Sequence, residues 1–199
     1  MTEHRIARDV IVIGASVGGV EALKHICSHL PDDLPAIIGI VIHRSPAYYS
    51  DIQAVYQRPG RINVREPHSG EVFKLSTAYF APADHHMHFH AEGIGLSRGP
   101  KVHFTRPAAD VLFMSAAESF RERVAGIVLS GGGADGAHGL VSIKRYRGLS
   151  FIQDPKESKD ARMPLNALRE DSVDGVMPLQ ELPSLIRALA NGSDWAAKT

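Results

Sequence analysis

The sequence predicts an α/β fold: a doubly wound, mostly parallel sheet in a three-layer, Rossmann-like α/β/α arrangement, with a β-hairpin extension in its middle. Three observations predict it. Apolar runs at 10–13, 36–42 and 124–129 are continuous rather than alternating, as in strands buried on both faces. The first run passes into apolar residues at helical spacing, and so does the third. The short connection at 31–35 then completes a strand–helix–strand unit, which makes its two strands parallel.

In chain order, Val10-Ile11-Val12-Ile13 leads straight into Gly14-Ala15-Ser16-Val17-Gly18-Gly19, after which Val20, Leu23, Ile26 and Leu30 mark a helix. A serine at such a turn stands at the sheet edge, and its small neighbours let the chain turn tightly and a ligand approach the backbone. The helix beginning there aims unsatisfied N–H groups and a positive dipole end at the same place. The second run ends in His43. From 48 to 104 the pieces are short: Ile62-Asn63-Val64, Ala78-Tyr79-Phe80, Met87-His88-Phe89 and Ile94-Gly95-Leu96, broken by Gly70, Pro82, Gly93 and Gly99. They read as hairpins or a small antiparallel extension.

A helix follows from Pro107 through Ala117, then the third buried strand, which stops in Ser130-Gly131-Gly132-Gly133-Ala134-Asp135-Gly136. Helix at 139–145, strand near 150–152, helix near 164–170, a short strand at 173–176 and a last helix to Ala190 complete the pattern. The expected organisation is an N-terminal tail (1–8), a single catalytic domain (9–190) and a polar C-terminal tail (191–199).

At 199 residues and 44% hydrophobic, the chain can bury a full core in one domain. Its 22 basic and 22 acidic residues are scattered, which argues against a nucleic-acid stripe or a polybasic membrane segment. Cys27, the one cysteine, lies on the apolar side of the first helix, so it reads as a buried structural thiol in a reducing compartment. Residues 1–8 hold no apolar signal core, and no apolar run of about 18 residues occurs. The expectation is a cytoplasmic protein without stable membrane insertion.

The turn around Ser16 admits several readings. A dinucleotide site needs G-x-G-x-x-G, but the spacing is Gly14-x-x-x-Gly18-Gly19, and His43 stands where an acidic ribose partner belongs. A phosphate loop needs Gly-Lys-Ser/Thr, which is absent. A serine nucleophile needs a base and an orienting acid, and a plain tight turn with a solvated serine needs nothing. The turn by itself favours the last.

The rest of the chain shifts that balance. Ser16, His43 and Asp135 are each the first reactive side chain after a doubly buried strand, so the fold brings all three to one sheet edge. A seryl hydroxyl needs an imidazole to take its proton, and the imidazole needs a carboxylate to fix its tautomer. Backbone N–H groups of Val17 and of the loop at Gly132 and Gly133 could then meet a developing oxyanion. Singly, a strand-end histidine is a polar cap and Asp135-Gly136 a turn signal.

These residues also resemble a known family. Gly14-Ala15-Ser16-Val17-Gly18-Gly19 is similar to the G-A-S-T-G-G of the CheB-type protein-glutamate methylesterase catalytic domain. The resemblance continues through Val41-Ile42-His43, residues 79–86, Arg106-Pro107-Ala108-Ala109-Asp110-Val111-Leu112-Phe113, Leu129 to Asp135-Gly136, Ile152-Gln153-Asp154 and Arg162-Met163-Pro164. It implies Ser16 as nucleophile, His43 as base and Asp135 as its partner. It also implies hydrolysis of glutamate γ-methyl esters, and in some members glutamine deamidation, on the cytoplasmic helices of methylated chemoreceptors, with no cofactor. Val17 replaces the family's threonine, Gly132 a frequent methionine, and Ile42 a frequent glutamine. With eight residues before the first strand, the chain reads as a stand-alone member without the usual receiver domain, or as a fragment.

Three further features bear on function. On a strand, His86, His88 and His90 share a face, but no carboxylate or cysteine at ligand spacing supports a metal there, and none is expected. Arg106 could meet an acidic group on a substrate helix or form a surface ion pair. The alternative to an esterase is a catalytically weakened receptor- or ligand-binding module on the same fold, which a serine-directed probe distinguishes.

Overall fold

The computed structural model describes residues 6–44 and 50–195. Parts of the two tails (1–5 and 196–199) and the segment 45–49 lie outside the described residues.

Seven strands form one parallel sheet: β1 (Val10–Ala15), β2 (Ile37–Ile42), β3 (Asn63–Arg65), β4 (Thr77–Phe80), β7 (Val124–Val128), β8 (Leu149–Gln153) and β9 (Gly175–Met177), in the order β3-β4-β2-β1-β7-β8-β9. From β1 the chain winds outward through β2, and it later returns to the other side at β7. The carboxyl end of β1 is therefore the switch point, where open α/β sheets receive ligands. Strands β5 (His86–His90) and β6 (Gly93–Ser97) pair separately as an antiparallel hairpin.

Alternation along β1 builds two cores. Ile11, Ile13 and Ala15 face a layer that includes α1 (Gly19–His29), α2 (Ile52–Tyr56) and α6 (Leu182–Ala190). Val10 and Val12 face α3 (Ala109–Phe120), α4 (Ala137–Arg145), α5 (Arg162–Glu170) and the hairpin. A side chain at Gly39 in β2 would lie 2.7 Å from Phe89, so its absence lets the hairpin pack onto the sheet. Beyond the last helix, Trp195 packs edge-on against Phe151, with ring centroids 4.7 Å apart.

Three expectations change. The pieces at 62–64 and 78–80 are not antiparallel: they are β3 and β4, paired parallel with each other, and β4 pairs parallel with β2. Pairing of such short strands is set by register far along the chain, here Asn63 and Ile37 both opposite Thr77, and not by their own pattern. The short α2 carries no periodic signal of its own and is an addition to the expected elements. In α1, Val20 is 40% exposed, and Ala22 and Cys27 fill the inner face with Leu23 and Ile26. Other boundaries shift by three residues at most.

Among the described residues no helix is long and apolar enough to cross a membrane. Burial pushes the Cys27 thiol up to about 12, and only 1% of the residue is exposed. The native protein at pH 8 should therefore resist thiol-specific labelling for hours and react at once in denaturant. Rapid labelling of the native protein would contradict this packing.

Candidate active site

Register carries Ser16 and His43 to the same place. Ala15 pairs with Ile42, and the His43 N–H donates to the Ala15 carbonyl at 3.1 Å, so the next residues on each strand sit one strand spacing apart, about 4.8 Å. On the other side of β1, the Ser16 N–H donates to the Ser130 carbonyl at 3.0 Å, tying the serine to the loop after β7. Gly18 adopts φ +84° and caps α1, and the Gly19 N–H closes the turn onto the Ser16 carbonyl at 2.8 Å.

Asp135 is 2% exposed and holds three hydrogen bonds. Its Oδ2 accepts from the Ala109 N–H at 2.6 Å and lies 2.7 Å from His43 Nε2, while Oδ1 accepts from the Asp110 N–H at 3.0 Å. Ala109 and Asp110 open α3, whose N-cap residue Ala108 has no side-chain acceptor. Asp135 thus caps α3 from a distant loop, both of its oxygens accepting from that helix's otherwise unsatisfied N–H groups. An ionised carboxylate only accepts, so the proton of the His43–Asp135 bond is on Nε2, and Nδ1 carries the free lone pair.

The cap is reciprocal. Asp110 Oδ1 accepts from the N–H groups of Gly136 (3.0 Å) and Gly139 (2.7 Å) at the start of α4. Each helix end is therefore satisfied by the aspartate of the other. Burial pushes the Asp110 carboxyl up from its ordinary value; the Gly139 N–H opposes that shift and the nearby Asp135 adds to it.

The glycine loop closes the other side of the serine. A Cβ on Gly131 would sit 2.1 Å from Met163 Sδ and 2.8 Å from Ser16 Cβ, so only glycine lets the backbone pass there. A Cβ on Gly132 would meet the Arg162 guanidinium at 2.8 Å. Arg162 is held by Asp160, whose carboxyl it keeps low, at about 2. Gly133 has φ +93°, and its carbonyl accepts from Asn166 Nδ2 at 2.7 Å. Val17 is half exposed, and its carbonyl accepts from Ser130 Oγ at 2.7 Å.

Beside His43 opens a cavity of about 280 Å³, lined among others by Arg44, Lys101, Phe104 and Arg106. Arg106 is already engaged: Nε and Nη2 bind Asp84 Oδ1 at 3.0 and 2.7 Å, and Nη1 donates to the Arg98 and Gly99 carbonyls. The strand histidines are also committed, His86 Nε2 to the Pro100 carbonyl (2.9 Å) and His88 Nε2 to Ser97 Oγ (2.8 Å). Sequence reasoning missed Asp110 and the Asp160–Arg162 pair as parts of the site. An aspartate directly after Pro107-Ala108-Ala109, where the first turn of a helix falls, was the available signal.

Fold and site define a doubly wound α/β protein with a serine–histidine–aspartate constellation at its switch point. The family model of CheB methylesterase matches residues 11–186. A protein-glutamate methylesterase/protein-glutamine glutaminase of Pyrococcus horikoshii is 37% identical over 184 residues, 90% of this chain and 50% of its own length. A putative protein-glutamate methylesterase/protein-glutamine glutaminase of Leptospira interrogans is 34% identical over 178 residues, 89% of this chain and 92% of its own. The crystal structure of the Thermotoga maritima CheB methylesterase catalytic domain superposes with a TM-score of 0.83 at 28% identity, covering 91% of this chain and 98% of that one. The chain belongs to the CheB methylesterase family. It spans about half the length of the Pyrococcus relatives it matches.

Replacing Asp135 by alanine would strand two buried N–H groups and should cost about 2–4 kcal/mol in urea denaturation, against about 0.5 kcal/mol or less for Ser16→Ala. Equal stabilities of the two variants would contradict the capping role of Asp135.

Proposed function

We propose that this chain is a serine esterase that hydrolyses glutamate γ-methyl esters on chemoreceptor helices, with residues 9–190 as its catalytic domain. The observation that carries the reading is the partly buried 2.7 Å bond between His43 Nε2 and Asp135, which leaves Nδ1 as the basic nitrogen just beyond the strand next to Ser16. The relatives' names support the substrate class, including action on glutamine.

In this mechanism Ser16 Oγ attacks the ester carbonyl as its proton passes to His43 Nδ1. Asp135 stabilises the imidazolium. The tetrahedral oxyanion is met by backbone N–H groups of Val17 and Gly132, brought together by the close pass of Gly131 over Ser16. The imidazolium returns its proton to the departing methoxide, methanol leaves, and water attacks the acyl-enzyme by the same route. No step calls for a cofactor. Arg106 serves here to pin the segment at 98–107 to Asp84. In the cavity beside His43, Arg44 is paired with Glu66 and Arg106 with Asp84, which leaves Lys101 as the lining cation to meet an acidic group of a substrate helix.

Methanol release from methylated chemoreceptor tests the assignment. Wild type should release it; Ser16→Ala and His43→Ala should lose it to background, and Asp135→Asn should fall by about 10³–10⁴-fold through the wrong imidazole tautomer. Unchanged release in His43→Ala would remove the imidazole from the mechanism. Binding of receptor without release in the wild type would instead support the binding-module alternative.

A further inference from the structure

We propose that His103, Asp110 and His138 form a site for a divalent transition metal of the zinc class, at the N-terminal ends of α3 and α4. His103 lies in the loop before α3, Asp110 in the first turn of α3, and His138 in the first turn of α4. His103 Nε2 is 2.8 Å from Asp110 Oδ2, His138 Nδ1 is 3.9 Å from the same oxygen, and one ligand atom from each residue lies within 4.8 Å of the others. The two imidazoles stand with ring centroids 5.8 Å apart.

The donor set is two imidazoles and one carboxylate, which suits zinc and its neighbours better than calcium or magnesium. Ligand atoms around tetrahedral zinc are about 3.3 Å apart, from bonds of about 2.0–2.1 Å. The observed 2.8 and 3.9 Å bracket that spacing, so small side-chain rotations suffice. Asp110 is held ready to ligate, because the Gly136 and Gly139 N–H groups fix its Oδ1 and so aim Oδ2 at the histidines. Its carboxyl is buried, while the His138 side chain is 67% exposed, so an ion can enter from solvent and keep a water as fourth ligand. Among the described residues this is the one group of at least three such side chains that converges in this way. The His103 Nε2–Asp110 Oδ2 hydrogen bond would give way to the ion, its proton released, so both partners of that bond become ligands. Binding would tie the loop carrying His103 to α4 across the reciprocal caps.

The test is a titration of Zn²⁺ into the full, metal-free chain in competition with a chromophoric chelator. One ion per chain, bound in the micromolar range or tighter, is the expected result. His103→Ala and His138→Ala should each weaken it by about tenfold or more, while His90→Ala leaves it unchanged. His138 is a surface side chain, so its loss leaves the fold intact, as circular dichroism would verify. Absence of saturable binding, affinity unchanged in both His103→Ala and His138→Ala, or loss of binding in His90→Ala would each overturn the assignment.

Discussion

The structure depends on one buried carboxylate. Asp135 accepts two backbone N–H groups at the head of α3 and faces a ring nitrogen of His43, so a single side chain joins helix capping to the proposed chemistry. Neither role is independent of the other. The helix end fixes the carboxylate, and a fixed acceptor decides which imidazole nitrogen holds the proton. Asp110 repeats the arrangement in the opposite sense at α4. The two helices are thereby locked at their N-termini, beneath the edge where Ser16 sits. Gly139 completes the lock, because any side chain there would run into Phe113 at 2.5 Å.

The second constraint is the width of the gap above the sheet edge. β1 ends between β2 and β7, so its serine is flanked by a strand carrying the histidine and a loop that must pass very close. Gly131 permits that approach, and Met163 seals it from the other side. Gly132 leaves room for the Arg162 guanidinium to lie over the loop. This side of the site's mouth is thus polar and charged.

Much of this was legible in the chain. Continuous apolar runs identify β1, β2 and β7 because strands buried on both faces need no alternation, and the residues just beyond them fall at one edge by topology alone. That is why Ser16, His43 and Asp135 could be picked out together. The pairing of β3 and β4 was not legible, since strands of three and four residues carry no partner information and their parallel register is imposed by β2. The reciprocal caps were hidden for a related reason: Asp110 and Asp135 are 25 residues apart, and each reads locally as an ordinary helix-start or turn residue. Arg106 shows the converse limit. Its sequence context leaves open a substrate role or an ion pair, and only the fold shows Asp84 and two carbonyls gathered around it.

Everything proposed for the site turns on Asp135 holding His43 with the proton on Nε2 and the lone pair on Nδ1. Nitrogen NMR of the imidazole in the uniformly labelled protein reads this directly. The expected result is an Nε2–H tautomer with a slowly exchanging, strongly downfield proton that persists in Ser16→Ala and disappears in Asp135→Asn. An Nδ1–H tautomer in the wild type, or a proton indifferent to Asp135→Asn, would contradict it.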